Sequence, residues 1–303
     1  MTLTQVKNGL KDPKRILLHM LDADFFRRMN DARYLKLKYW ASTGKRLRLE
    51  QPVSYNEKLQ WLKLHDRKPV YTEYADKYAV RAHIARLIGE EYLIPLLGVW
   101  DTAEQVDFDA LPNAFVLKPT HTSGNVLVCR DKTALNVEQA RRTMKEWLAR
   151  EYFWYHREWP YQNIRPRIIC EQLLENQDGS LPEDYKLMCF GGKPKCVFVC
   201  ADRDAADGLK IDIYNEDWKR MDFRRATHPA SGRDLPMPEN FPLMRDLAEK
   251  LSEGFAFIRV DFYDVGGKVY FGELTFYPAA GFEAFDPPEY DEILGGWIDL
   301  PSV

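Results

Sequence analysis

The spacing of apolar residues changes along the chain, and each change implies a different element. In residues 1–70 the spacing is helical: Leu35, Leu37, Tyr39 and Trp40, then Leu59, Trp61, Leu62 and Leu64, form apolar stripes beside basic side chains, which predicts a helical lead-in. From Asp76 onward Val80, Ile84, Leu87 and Ile88 recur at i, i+4, i+7 and i+8, the mark of one buried helix face, and Gly89 is a suitable stop. Leu96 to Trp100, following Pro95, reads as a strand entry.

Beyond residue 112 strand patterns dominate, so residues 107–112 mark the expected domain boundary. Residues 114–118 and 125–130 are β-rich runs around the polar loop Thr120-His121-Thr122-Ser123-Gly124, which predicts a hairpin with a mobile tip. Asn136 with Gln139 three residues on predicts a capped helix that buries Val137, Ala140, Met144, Trp147 and Leu148. Further strands are expected at residues 167–174, 185–190 and 195–201, then at Phe257–Val265 and 269–276, with a helix over 243–253. Strand runs interleaved with helices predict an α+β protein with helices packed on sheets.

Composition narrows the function classes. The 303 residues are 45% apolar and 29% charged, and 43 basic against 46 acidic side chains leave a formal charge of −3. Such a chain buries a large core and still leaves a cleft between lobes. Without a block of like charges, neither a nucleic-acid groove nor a polybasic membrane anchor is indicated, and only local basic patches are left open. Cys129, Cys170, Cys189, Cys196 and Cys200 lie mostly in apolar runs without CxxC spacing, so buried free thiols in a reducing cytosol are expected. No export signal and no apolar run of the ~18 residues a membrane span needs are visible, and a cytoplasmic location is the expectation.

The last hairpin carries the strongest chemical signal. If Gly266-Gly267-Lys268 is a three-residue loop, Val265 pairs with Val269, Asp261 with Glu273 and Arg259 with Thr275. Alternation along the strands then brings two carboxylates, a guanidinium and a hydroxyl to one face, whereas a two-residue loop would separate the carboxylates. Facing carboxylates in an apolar setting repel unless a cation sits between them, and oxygen ligands suit Mg²⁺. The bland alternative is an exposed, salt-bridged sheet face. Lys118 before the Thr120–Gly124 loop offers a point charge and backbone N–H groups to a phosphate, without the spacing of a Walker loop. The strand through Ile168-Ile169-Cys170 into Glu171-Gln172-Leu173-Leu174-Glu175 offers edge groups to a nucleobase and an acid to a ribose.

Taken in order, Tyr55-Asn56-Glu57-Lys58-Leu59, Ala75-Asp76-Lys77-Tyr78-Ala79-Val80-Arg81, Phe115-Val116-Leu117-Lys118-Pro119, Asp184-Tyr185-Lys186-Leu187, Ala201-Asp202-Arg203, Arg259-Val260-Asp261 and Phe271-Gly272-Glu273-Leu274-Thr275 resemble the ATP-grasp superfamily. The resemblance is to its TupA-like branch, associated with teichuronopeptide and other surface-polysaccharide synthesis. It implies two α+β lobes clasping ATP, with residues 1–75 as helical lead-in, 76–170 as the part holding the phosphate-loop hairpin, and 171–303 as the lobe holding the Mg²⁺ hairpin.

Carried over by position, the resemblance makes Lys77 and Lys118 phosphate-binding lysines covered by Thr122-Ser123-Gly124. Glu171 and Leu174 line the adenine hinge, and Glu175 or, in competition, Asp178 holds the ribose. Lys186 is a further phosphate or acyl-phosphate contact, Arg203 a candidate for the substrate carboxylate, and Arg259 the stabiliser of the reacting carbonyl. Asp261 and Glu273 match the Mg²⁺-binding acids, with Thr275 where many ATP-grasp ligases have asparagine.

The implied reaction is ATP-dependent joining of a carboxylate to an amine, with a uronic acid or amino acid as a small-molecule or glycan substrate and transient association with polysaccharide-synthesis machinery. Two rival enzymes remain from the residues: a kinase using the same acids and lysines on a sugar hydroxyl, and a metal-dependent glycosyltransferase prompted by the D-x-D triplets at Asp22, Asp107 and Asp202. An inactive glycan-binding protein would use Trp154, Tyr155, Trp159 and Tyr161 as a sugar platform, for which core packing or a lid is the blander use.

Overall fold

The structure, a computed structural model, describes residues 13–202 and 208–302. Two short helices, α1 (Pro13–Leu21) and α2 (Asp31–Thr43), open it. Asn30 starts α2 by accepting from the N–H groups of Ala32 and Arg33, and Gly44 ends it at φ 76°. Helix α3 (Tyr55–His65) begins with a capping box: Ser54 Oγ accepts from Glu57 N–H, and Glu57 Oε2 accepts from Ser54 N–H. Helices α4 (Val70–Ala75) and α5 (Val80–Leu87) follow.

The smaller sheet has the order β1-β4-β2-β3, from β1 (Leu96–Trp100), β2 (Phe115–Pro119), β3 (Leu127–Cys129) and β4 (Ile168–Gln172). Helix α6 (Val137–Leu148) covers it through Ala140, Met144 and Trp147, and Asn136 caps that helix by accepting from Gln139 N–H. The short α7 (Phe153–His156) follows.

The larger sheet has the order β10-β9-β5-β6-β7, from β5 (Asp184–Phe190), β6 (Lys193–Ala201), β7 (Lys210–Asn215), β9 (Phe257–Val265) and β10 (Lys268–Thr275). Helix α8 (Phe241–Ser252) packs on it through Met244, Leu247, Ala248 and Leu251. A two-stranded ribbon of β8 (Arg224–Arg225) and β11 (Phe285–Asp286), then α9 (Tyr290–Gly296), complete the described order.

Two hydrophobic clusters divide this architecture. One joins Val106, Phe108 and Leu111 to Phe115, Met144 and Ile168, so the segment 107–112 anchors Phe108 and Leu111 in the small lobe's core instead of linking two domains. The other joins Leu35, Leu59 and Ile84 of the leading helices to the five-stranded sheet. Helix α3 is fastened there by its polar side chains. Gln60 donates to the carbonyls of Ala280 and Gly281 (3.0 and 2.7 Å), Lys63 donates to Ala280 O (2.8 Å), and Asn56 donates to Glu283 O and Asp291 Oδ1 (2.8 Å each). Buried carbonyls that would otherwise lack partners explain why polar groups occupy so enclosed a helix.

The five cysteines are free and buried. Trp154 packs against Arg157 (4.5 Å) and Trp159 against Arg67 (5.2 Å), which assigns these aromatics to packing rather than an open sugar platform. Asp22 pairs with Lys38, and Asp107 caps its own turn. No helix among the described residues is long and apolar enough to cross a membrane.

Candidate active site

The floor of the site is a row of side chains on three adjacent strands. In β9 the alternation Arg259, Asp261, Tyr263 points these residues to one side. Antiparallel pairing sets Lys186 of β5 beside Asp261 on one flank and Glu273 of β10 beside it on the other. The turn joining β9 and β10 is Gly266-Gly267, at φ 59° and 79°, and Lys268 pairs with Val265. The three-residue loop expected from the sequence is therefore corrected to two, which by itself would turn Glu273 away from Asp261. A β-bulge at Gly272 restores the match: Phe271 pairs with Phe262, and Glu273 with Asp261.

The bulge is crowded around its glycine. A Cβ there would stand 3.1 Å from Asp261 O and 3.2 Å from both Asp261 Cβ and Tyr263 Cε2.

The row is bonded across its width. Arg259 Nε donates to Asp261 Oδ1 (2.6 Å), and its Nη2 donates to Asp261 Oδ2 and Glu273 Oε1 (2.7 Å each). Lys186 Nζ donates to Asp184 Oδ2 (2.5 Å) and Asp261 Oδ2 (2.6 Å). Burial pushes the Asp261 carboxyl up, against the pull of Arg259 and Lys186. For Glu273 the opposing burial is overcome by Arg259, Lys77 and Lys186, which hold it down at about 2. Burial alone would lower Lys186, but Asp184 and Asp261 raise it.

The small lobe supplies the facing wall. Lys118, near the end of β2, donates to Glu171 Oε2 on β4 (2.8 Å), while Arg81 of α5 holds Glu171 Oε1 (3.1 Å). Lys77 donates to Thr122 O (2.5 Å), and Thr122 Oγ1 bonds Asn125 Oδ1 (3.0 Å), so the loop after β2 is tied to the segment before α5. Burial lowers the Lys77 pKa and the neighbouring Lys118 adds to that.

Between the walls lies a cavity of about 220 Å³ lined by Lys77, Lys118 and Lys186 with Glu171, Asp184, Asp261 and Glu273. An apolar cavity of about 260 Å³ adjoins it, lined by Ile94, Val116, Val128, Leu173 and Leu174; Lys118, Val126 and Tyr263 border both.

The donor set suits Mg²⁺. Arg259 and Thr275 both donate to Glu273 Oε1, which leaves Oε2 for a cation, and Glu273 is 32% exposed. Among the described residues no three His, Cys, Asp or Glu side chains converge on a metal cage. Two carboxylates with phosphate oxygens completing the shell are the usual Mg²⁺ arrangement, so the missing third side chain is no obstacle.

The sequence profile of the TupA-like ATPgrasp family matches residues 57–299, most of the chain. The chain belongs to the TupA-like ATP-grasp family. No curated protein sequence matches it significantly. Among solved structures it is similar to D-alanine–D-alanine ligase from Bacillus anthracis at 16% identity, covering 67% of this chain and 57% of that one, with a TM-score of 0.39. A RimK domain ATP-grasp protein from Sphaerobacter thermophilus is similar at 14% identity, covering 75% and 69%, TM-score 0.40. The ATP-grasp ligase PsnB, solved with a phosphomimetic variant of its minimal precursor, Mg and ADP, is similar at 11% identity, covering 73% and 57%, TM-score 0.41. The TupA-like chain thus spans 57% of the length of the first and third of these proteins.

Several residues of this TupA-like ATP-grasp chain sit differently from expectation. Glu171 lines the charged cavity and holds Lys118 and Arg81 instead of facing the apolar one, because alternation from the buried Cys170 turns it toward Lys118. Leu174 does line the apolar cavity. Glu175 is paired with Arg130 (2.6 Å), whereas Asp178 accepts from Ser180 N and Oγ in its own turn, so of the two acids Asp178 is spent locally. Thr275 donates to Glu273 Oε1 (3.1 Å) and is absent from the cavity lining, a positioning contact. Arg259 is turned into the two carboxylates, with Nη1 committed to neither. Ser123 and Gly124 are exposed at the loop tip, and Gly124 reaches the cavity. Arg203 lies outside the described residues.

Asp184, Arg81 and Tyr263 were not singled out from the sequence. The period-two spacing of Asp184 from Lys186 and of Tyr263 from Asp261 carried the signal for two of them. Arg81 meets Glu171 across 90 positions, which no local pattern shows.

Proposed function

We propose that the protein is an ATP-dependent carboxylate–amine ligase. The observation that carries this reading is the pair of adjoining cavities: one apolar and sized for a base, the other lined by three lysines and four carboxylates. The lysines offer point charges to a polyphosphate, while the acids would repel it unless a divalent cation sits between the carboxylates and the phosphate oxygens. That combination is a nucleoside triphosphate bound with Mg²⁺.

In this reading Leu173, Leu174 and Val128 enclose the base and Glu175 takes the ribose. Lys77 and Lys118 exchange their present acceptors, Thr122 O and Glu171, for phosphate oxygens. Asp261 and Glu273 hold Mg²⁺, which when bound neutralises charge on the transferring phosphoryl group. Lys186 steadies that group as it passes to a carboxylate, giving ADP and an acyl-phosphate. An amine then attacks the carbonyl, loses a proton, and phosphate leaves as the amide forms. Arg259 holds both acids, and its Nη1 is the donor available to the oxyanion. Family association supports a uronic-acid or amino-acid carboxylate in cell-surface or capsular polysaccharide biosynthesis, at a cytoplasmic site.

The test is a thermal-shift titration with ATP, with and without Mg²⁺, on the parent protein, Lys118→Ala and Glu273→Gln. Nucleotide at about 100 times its dissociation constant adds about 2.7 kcal/mol. A Mg²⁺-dependent shift lost in both variants is expected, followed by phosphate release with the right acid and amine. A shift with nucleotide-sugars alone would overturn the reading in favour of a glycosyltransferase, and ADP release with a stable phosphosugar would replace ligase by kinase.

A further inference from the structure

The leading helices carry a surface that the nucleotide site does not use. Residues 13–48 hold ten Lys and Arg against three Asp and Glu, in a chain whose overall charge is −3. The excess lies in one contiguous stretch, spread out without a run of like charges. On α2, Arg33, Leu37 and Trp40 stand at i, i+4 and i+7, and Lys36 lies on the same exposed face. The 3₁₀ turn Asp24–Arg28 brings Phe25 and Arg28 beside Arg33, the three lining one surface hollow. At the other end Lys14 of α1 sits 5.7 Å from the Trp40 ring.

The apolar members of this face are unusually open for their size. Phe25 is 82% exposed, Trp40 42% and Leu37 37%, while Phe26, Leu35 and Tyr39 on the opposite side carry the packing. Exposed apolar residues occurring singly need no explanation; three of them beside arginines and lysines do.

We infer that this face docks on the surface of an anionic lipid bilayer. Charge complementarity selects the partner: basic residues meet acidic headgroups, while Phe25, Leu37 and Trp40 enter the boundary between headgroups and acyl chains. A polyanion would satisfy the arginines, and a single-stranded nucleic acid could stack a base on a ring, but neither offers an apolar layer to the aliphatic Leu37 beside Phe25 and Trp40. The mode is a protein lying on the bilayer, consistent with the lack of a membrane-spanning helix among the described residues. The inference is independent of the proposed ligase activity.

The experiment is co-sedimentation of the full chain with vesicles of phosphatidylcholine, with and without phosphatidylglycerol, at low and high salt. The parent protein should sediment with the phosphatidylglycerol vesicles, weakly with phosphatidylcholine alone, and less at high salt. The double variant Arg28→Gln/Arg33→Gln should bind roughly thirtyfold more weakly. Phe25→Ser should lose at least about tenfold. Both changes lie on the surface, so unchanged melting temperatures are the control for folding. No binding to anionic vesicles overturns the proposal. So does binding that Arg28→Gln/Arg33→Gln leaves intact, or binding that falls with the arginines but ignores Phe25→Ser, which would mark an ordinary polyanion contact.

Discussion

The hairpin β2–β3 and the hairpin β9–β10 face each other across the charged cavity and are built for opposite demands. The first pairs only Phe115–Cys129, Val116–Val128 and Leu117–Leu127 before its long polar loop, whose tip at Ser123 and Gly124 is open to solvent. The second pairs from Lys268–Val265 through Thr275–Arg259, turns in two glycines, and uses a third to set its carboxylates. Both depend on glycine, for different reasons. Gly124 has φ 77° and open space around it, so its requirement is conformational. Gly272 lies outside the left-handed region but a Cβ there would be crowded, so its requirement is steric. One hairpin fixes charges in register; the other leaves a tip held through Thr122 by Asn125 and Lys77, with Arg150 on Asn125.

Substitutions can break this contrast, and they rank by size. The largest effect is expected from Glu273→Gln, which keeps the strand pairing but removes the charge: Mg²⁺-dependent turnover should fall about 10²–10³-fold in a steady-state assay, with the fold intact by circular dichroism. Gly272→Ala comes next. Forcing a methyl group against Asp261 should lower stability by about 1–3 kcal/mol in urea denaturation and disable turnover along with it. The matching change Gly124→Ala, made where only φ is at issue, should cost about 1 kcal/mol and alter the KM for ATP more than kcat. If the two alanine variants behaved alike, the distinction between the hairpins would fall.

A pH series sharpens the same point. Glu273 has its folded pKa held at about 2, below the usual range near 4.3, so its pairing stabilises the fold at neutral pH and that contribution is lost as pH falls through the acid range toward 2. The stability difference between parent and Glu273→Gln should therefore narrow steadily below about pH 4 in denaturant melts. The smallest effect belongs to Asp178→Ala: a change within about 0.5 kcal/mol in stability and none in ATP affinity, since that acid serves only its own turn. A loss of affinity would transfer the ribose role from Glu175 to Asp178.

Much of the site was legible because β strands alternate. The row Arg259, Asp261, Glu273 was read correctly as one face, though through a loop one residue too long; the bulge at Gly272 supplied the odd residue that the turn did not. Nothing local distinguishes these two routes, since a Gly-Gly-Lys sequence suits either loop and the crowding at Gly272 comes from another strand. Lys118 was read from the loop that follows it and Lys77 from the family resemblance, and both line the charged cavity. The contacts of Glu171 were not visible in the sequence, because its partners, Lys118 and Arg81, are 53 and 90 positions away. Strand β7 and the β8–β11 ribbon were missed, the ribbon because two-residue strands carry no period at all. The segment 107–112 read as a boundary because helical patterns give way to strand patterns there, yet Phe108 and Leu111, with Val106 just before them, join the small lobe's core.

The fastening of α3 bears on how the chain is made. Gln60 and Asn56 find their acceptors 220 to 235 positions downstream, at Ala280, Glu283 and Asp291. A helix made before its partners must hold Asn56, Gln60 and Lys63 in water until the segment around residues 280–291 has followed it out of the ribosome. The large lobe can close only after that, and until then the nascent chain offers an unfinished core to chaperones.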